Sequence, residues 1–387
     1  MLDSFRVSNV DISERTFGSG ARRVARTRRL KTSRATSPGP YDRHNREIIA
    51  YVPVVRDRFM RSAIRAAMAT PWIVRLASRG RSTGLDAALD RQVAAALEYV
   101  RVARVPPLES MEPAAARIHA ERNLGASEVD PEPMAEVIDT TVGDDRVPVR
   151  IYVPYDASEN WLVWYHGGGG VIGSIAGSEP IVRYIAAHTH CTVASVGYRL
   201  GPEDRHPTAI DDAFAAWQGL VERVPNGRVA VGGDSFGGYL AVNVDRLARD
   251  AGVRAPDLQV LAYPLLDLTL TSPSIERYAD GYLLTKSMMV WFRANYLSAS
   301  DDQKAVSPWF WPNVEGAAPA IVVTAGYDPL VDEGDAWAQR LREAGVTVRH
   351  HRYDSLIHGF LSLAGVVRSA RAAVDELCGD MVDMLAG

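Results

Sequence analysis

The sequence predicts an α/β protein, built on a mostly parallel, doubly wound sheet of eight strands with helices on both faces. Three observations carry this. Past Pro133, short apolar runs of strand length alternate with amphipathic stretches of helix length, which calls for crossover connections in one sheet. Val229 to Val231 is a short apolar run of the kind buried on both faces of a parallel sheet. It leads through a glycine-lined turn straight into the apolar Tyr239-Leu-Ala-Val, so strand, turn and helix follow without a linker.

At 387 residues, 47% hydrophobic and 23% charged, the chain is long enough for one large core with room for a subdomain. The net charge of -4 is uneven, because residues 1–50 hold eleven Lys+Arg against five Asp+Glu and the remainder holds 32 against 42. The mildly acidic body gives no footprint for nucleic acid. Cys191 and Cys378 are the only cysteines and lie far apart, so neither a disulfide framework nor a metal site is expected. Arg22-Arg23 lacks the apolar segment an export signal needs, and no run approaches the length of a membrane helix. The expectation is a cytoplasmic protein; the sequence leaves a homo-oligomer open.

Residues 1–46 carry seven basic residues between Arg22 and Arg34 without one acid, and are expected to form a disordered basic tail. Residues 47–132 are expected to be helical. Glu47 to Leu76 places Val52, Val55, Phe59, Ile64, Ala67 and Met68 on one side and arginines elsewhere. A basic amphipathic helix can lie on a membrane, so peripheral contact through residues 22–76 is weighed, but packing on the chain's own domain is favoured. A second helix is expected over Leu85–Ala103 and a short one near Ala114–Arg122.

Residues 133–387 form the expected catalytic domain. The strands are read at Ala135–Val142, Val147–Val153, Trp161–His166, Thr192–Tyr198, Arg228–Gly232, Leu258–Tyr263, Ala320–Thr324 and Val346–Tyr353, the first two as an edge hairpin turning at Gly143. Helices are read at Ser178–His188, Thr208–Val224, Phe236–Ala251, Glu333–Ala344 and Val366–Leu385. An aromatic-rich insertion, about 270–312, interrupts the alternation.

The chemistry converges on Ser235. Gly233-Asp-Ser-Phe-Gly-Gly238 satisfies G-x-S-x-G, in which the tight turn thrusts the serine outward at a helix N-terminus that favours negative charge. The four glycines 167–170 after the strand at Trp161 can bring backbone N–H groups up to a ligand. Gly168, Gly170 and Gly173 also match G-x-G-x-x-G, but the acid a dinucleotide site needs some twenty residues on is absent, so no cofactor is expected. Of nine histidines, His358 is best placed as general base, in a loop after the last strand. Asp328, at the end of the preceding strand, is the candidate partner, with Asp332, Glu333 and Asp354 as rivals. The order Ser235, Asp328, His358 is that of α/β-hydrolases.

On these residues the chain resembles the hormone-sensitive-lipase-like family of α/β-hydrolase esterases. His166-Gly-Gly-Gly169, Tyr198-Arg-Leu-Gly-Pro-Glu203, the Ser235 block, Ala262-Tyr-Pro-Leu-Leu-Asp267, Asp328-Pro-Leu-Val-Asp-Glu333 and His358-Gly-Phe360 match its motifs in order. The resemblance runs from about Leu85 to the C-terminus. It implies Ser235 as nucleophile, His358 as base, Asp328 as its partner, Gly168, Gly169 and Phe236 as N–H donors to the oxyanion, and a helical cap built from the N-terminal helices and the insertion. The implied activity is hydrolysis of small or short- to medium-chain carboxylic esters; a catalytically silent binding protein on the same fold is the alternative. Two departures bear on the pocket: Phe236 stands where the family commonly has alanine, and Gly170 where it often has an aromatic. The expectation is a volume swap in which the Phe236 ring fills the space above Gly170 and narrows the acyl side.

Overall fold

A computed structural model of the chain describes residues 54–81, 88–124, 127–144 and 146–386. The expected basic tail, 1–46, lies outside the described residues. The first helices are α1 (Val54–Ala69), α2 (Pro71–Ala77), α3 (Arg91–Val102) and α4 (Pro113–Leu124). Where the sequence suggested one helix up to Leu76, the chain breaks at Thr70, whose extended backbone (φ -94°, ψ 107°) is what the following proline demands. The helix expected over Leu85–Ala103 starts at Arg91, because the Asp90 side chain accepts the Gln92 and Val93 N–H groups and caps it there. Ile64 and Met68 of α1 pack against the core, while Trp72 and Leu76 of α2 are exposed.

Eight strands form one sheet: β1 (Glu136–Val142), β2 (Val147–Val153), β3 (Trp161–Tyr165), β4 (Thr192–Val196), β5 (Val229–Asp234), β6 (Leu258–Ala262), β7 (Ala320–Tyr327) and β8 (Val348–Ile357). Their spatial order is β1-β2-β4-β3-β5-β6-β7-β8. Strand β2 runs antiparallel to both neighbours, and every other pairing is parallel. The crossovers are α5 (Ile175–Thr189), α6 (Thr208–Val221), α7 (Phe236–Asp250) and α10 (Val331–Glu343), with α8 (Pro273–Arg277) and α9 (Lys286–Tyr296) in the insertion, and α11 (Arg368–Ala386) follows the last strand. One face of the sheet buries Trp217 of α6, Leu240 of α7 and Trp337 of α10; the other buries Val182 of α5, Val374 of α11 and Val93 of α3. This is the expected architecture.

Strands β7 and β8 run three and four residues further than the sequence suggested. Gly326 reads as a strand end, but there the β7–β8 register shifts, and a Cβ at 326 would stand 2.4 Å from the Asp354 carbonyl oxygen. Only glycine admits that approach, so the ladder continues past it and delivers Asp328 and His358 directly off two adjacent strand ends.

Candidate active site

Ser235 sits between β5 and α7 with φ 55° and ψ -114°, a backbone that an L-residue holds only under strain. The flanking glycines are obligatory on steric grounds: a Cβ at Gly237 would lie 1.9 Å, and one at Gly233 2.4 Å, from the Tyr165 carbonyl oxygen. The turn is locked to β6, since Ser235 N–H donates to the Ala262 carbonyl (2.8 Å) and its own carbonyl accepts the Leu265 N–H (3.1 Å).

Ser235 Oγ lies 2.9 Å from His358 Nε2, and His358 Nδ1 lies 2.8 Å from Asp328 Oδ2. An ionised Asp328 can only accept, so it fixes the tautomer: Nδ1–H donates to the carboxylate, which leaves Nε2 to accept the serine hydroxyl proton. Asp328 is fully buried, and its other oxygen accepts the Leu330 N–H at 2.8 Å. The rival acids are engaged elsewhere. Asp332 pairs with Arg277, and Asp354 with Arg352. Glu333 is fully buried, accepts the Leu266 and Asp267 N–H groups, and has its carboxyl pushed well above the usual range by burial. It clamps the chain after β6, a role nothing in the local sequence announced. Tyr263 presents its ring at 61° to His358, centroids 4.8 Å apart, and so holds the imidazole from the side.

The glycine loop follows β3 and has positive φ at Gly168 (117°), Gly169 (62°) and Gly170 (72°). A Cβ at Gly168 would come within 2.2 Å of the Ile172 carbonyl oxygen. Gly168 and Gly169 N–H make no backbone hydrogen bond among the described residues, and Phe236 N–H, at the first position of α7, has no intrahelical acceptor. Three donors thus stay free beside the serine turn. The loop is braced from beneath. Gly167 N–H donates to Asp234 Oδ1 (3.0 Å), and burial pushes that carboxyl up to about 6. His166, stacked on Tyr198 at 4.4 Å, is pushed down to about 4 by burial, and Tyr198 OH donates to the His166 carbonyl. Arg117 of α4 donates to the Val171 and Gly201 carbonyls and to Glu203, tying the N-terminal helices to this loop.

The volume swap is met in one half and not in the other. A Cβ at Gly170 would fall 2.7 Å from Phe236 Cζ, so the ring does fill the space a side chain at 170 needs. However, Phe236 has no exposed surface; it is walled in by Tyr198, Tyr239 and Tyr296, with centroids 4.8–6.0 Å away. It supports the loop from the core and presents no wall to an open pocket, which corrects the expected narrowing of the acyl side. The residue that meets the loop from the other direction is Phe292 of α9: a Cβ on Gly169 would lie 2.3 Å from its Cγ. It belongs to the aromatic stretch noted in the sequence, where nothing singled it out.

The sequence profile of a family described by its α/β-hydrolase fold matches residues 162–362, more than half of the chain, and spans all three residues of the hydrogen-bonded line. The chain belongs to this α/β-hydrolase family. It is similar to the carboxylic ester hydrolase LipN of Mycobacterium tuberculosis, with 36% identity over 329 residues, which cover 79% of this chain and 87% of that protein. It is likewise similar to the ethyl acetate hydrolase of Pseudomonas putida, 35% identical over 301 residues, 73% of this chain and 95% of the relative. Among solved structures, an α/β-hydrolase enzyme from the metagenome of Lake Arreo, Spain, superposes with a TM-score of 0.75 at 35% identity, covering 78% of this chain and all of that one. No helix among the described residues is long and apolar enough to cross a membrane.

Proposed function

We infer that this chain is a serine carboxylic-ester hydrolase that works through an acyl-enzyme on Ser235. The observation that carries the reading is the unbroken line Asp328–His358–Ser235, at 2.8 and 2.9 Å, on a serine turn at a helix N-terminus. His358 Nε2 takes the hydroxyl proton as Oγ attacks the ester carbonyl, and Asp328 stabilises the imidazolium that forms. The developing oxyanion is held by the N–H groups of Gly168, Gly169 and Phe236, each such donor supplying about 3–4 kcal/mol of transition-state stabilisation. His358 then protonates the departing alcohol, and water cleaves the acyl-enzyme by the same route.

The substrates are small or short- to medium-chain esters, in keeping with relatives that carry esterase names. A cap from the N-terminal helices and the insertion closes over the site; the Ser287 hydroxyl donating to Glu109 at 2.5 Å, which ties the two segments together, supports this. A silent binding protein is disfavoured, because it would have no use for a complete and oriented triad. The test is turnover of p-nitrophenyl acetate by the wild type and by Ser235→Ala. Loss of the nucleophile is expected to cost on the order of 10⁶ in kcat; a variant keeping a tenth of the wild-type rate would refute the assignment.

A further inference from the structure

Helix α9 presents two aromatic residues one turn apart to the glycine loop, and they meet it differently. Tyr296 is fully buried and lies under Gly170, its Cδ2 2.9 Å from where a Cβ would be. Phe292 is only half-buried, and its Cβ, Cγ and Cδ1 all fall within 2.7 Å of a Cβ built on Gly169. Its ring therefore rests on the Gly169 backbone, whose N–H is one of the free donors, and keeps one side uncovered. Such close approach explains why position 169 needs glycine beyond its φ of 62°.

The helix does not float. Thr285 caps it through the Met288 N–H (3.1 Å), Arg293 donates to the Leu268 and Thr269 carbonyls, and Arg205 donates to the Ala294 carbonyl. A rigidly held ring beside an oxyanion donor limits what can lie next to a bound carbonyl. The two sides of that carbonyl are distinguishable. The alcohol oxygen must come within reach of His358, and on that side the insertion offers Leu283, whose Cδ2 would be 3.6 Å from a Cβ at Gly359. The acyl group leaves the carbonyl on the side away from His358, and Phe292 of α9 meets the glycine loop at Gly169.

We propose that Phe292 is the specificity-determining residue for the acyl group, its ring on Gly169 limiting the length of the acyl chain that the enzyme accepts. The proposal rests on the ester-hydrolase reading. Its test is kcat/KM for wild type, Phe292→Leu and Phe292→Ala along two series: p-nitrophenyl esters from acetate to decanoate, and acetates of alcohols of increasing size. Phe292→Ala is expected to raise the decanoate-to-acetate ratio by about 10–200-fold, the discrimination that a few methylenes of pocket space supply. Phe292→Leu should fall between, and the alcohol series should keep its order. A uniform fall across the acyl series would overturn the proposal by making the ring a support of the loop alone; so would an unchanged ratio, or a shift confined to the alcohol series. Failure of the underlying reading looks different: the wild type itself would turn over no ester in either series.

Discussion

The contact between Phe236 and Gly170 can be tested as a double-mutant cycle. Gly170→Ala puts a methyl on a backbone with φ 72°, which costs about 1–2 kcal/mol for the left-handed conformation. It also drives that methyl to 2.7 and 3.0 Å from Phe236 Cζ and Cε2, an overpacking worth about 1–3 kcal/mol. Together these make a loss of about 2–5 kcal/mol. Phe236→Leu removes the two offending ring atoms and loosens the cluster with Tyr198, Tyr239 and Tyr296, at about 1–2 kcal/mol. In the double variant the ring contacts are gone while the backbone strain and the 2.9 Å approach to Tyr296 remain. The double loss should therefore be smaller than the sum of the single losses by about 1–2 kcal/mol. Equilibrium urea unfolding at matched m-values reads this directly. Additivity within about 0.5 kcal/mol would show that the ring and residue 170 do not share space.

Two further outcomes follow from the site. Asp328→Asn keeps the shape but removes the acceptor that sets the His358 tautomer, so kcat should fall by about 10⁴; a mild effect, with a severe one at Asp354, would move the acid to the neighbouring strand. Between pH 4 and 6.5, two buried groups oppose one another. Asp234, raised to about 6, binds a proton in the native state that the unfolded chain does not, so its contribution to stability falls as pH rises from about 4 to 6. His166, lowered to about 4, refuses a proton that the unfolded chain binds, so its contribution is lost as pH falls from about 6.5 to 4. Asp234→Asn uncovers the histidine, and its urea midpoint should drop more steeply than that of the wild type on acidification across this window. Parallel slopes for the two proteins would contradict the assignment.

The sheet was legible because buried parallel strands write themselves as apolar runs, and the Ser235 turn because its glycines answer to steric demands that are local in sequence. Element ends were less so. The bulge at Gly326 depends on Asp354 of the neighbouring strand, and a glycine that allows close approach reads the same as one that ends a strand. The Pro71 break and the Asp90 cap, by contrast, were written in the chain, as a proline inside a helical pattern and an acid before one. Choosing Asp328 over its rivals needed the partners that Arg277, Arg352 and the Leu266 N–H provide, all distant in sequence. Of the tyrosines that enclose the Phe236 ring, Tyr239 is one turn along the same helix, but Tyr198 and Tyr296 come from distant segments, and the Phe292 contact with Gly169 is equally remote: contacts across the fold leave no periodic trace.

The most direct test of the central claim is the mass of the protein, and of its tryptic peptides, after treatment with an aryl phosphonate that reacts with activated serine. One phosphonyl group per chain is expected, on the peptide containing Ser235, with parallel loss of esterase activity and no labelling of His358→Ala. Labelling at another residue, or none in a folded wild-type protein, would contradict it.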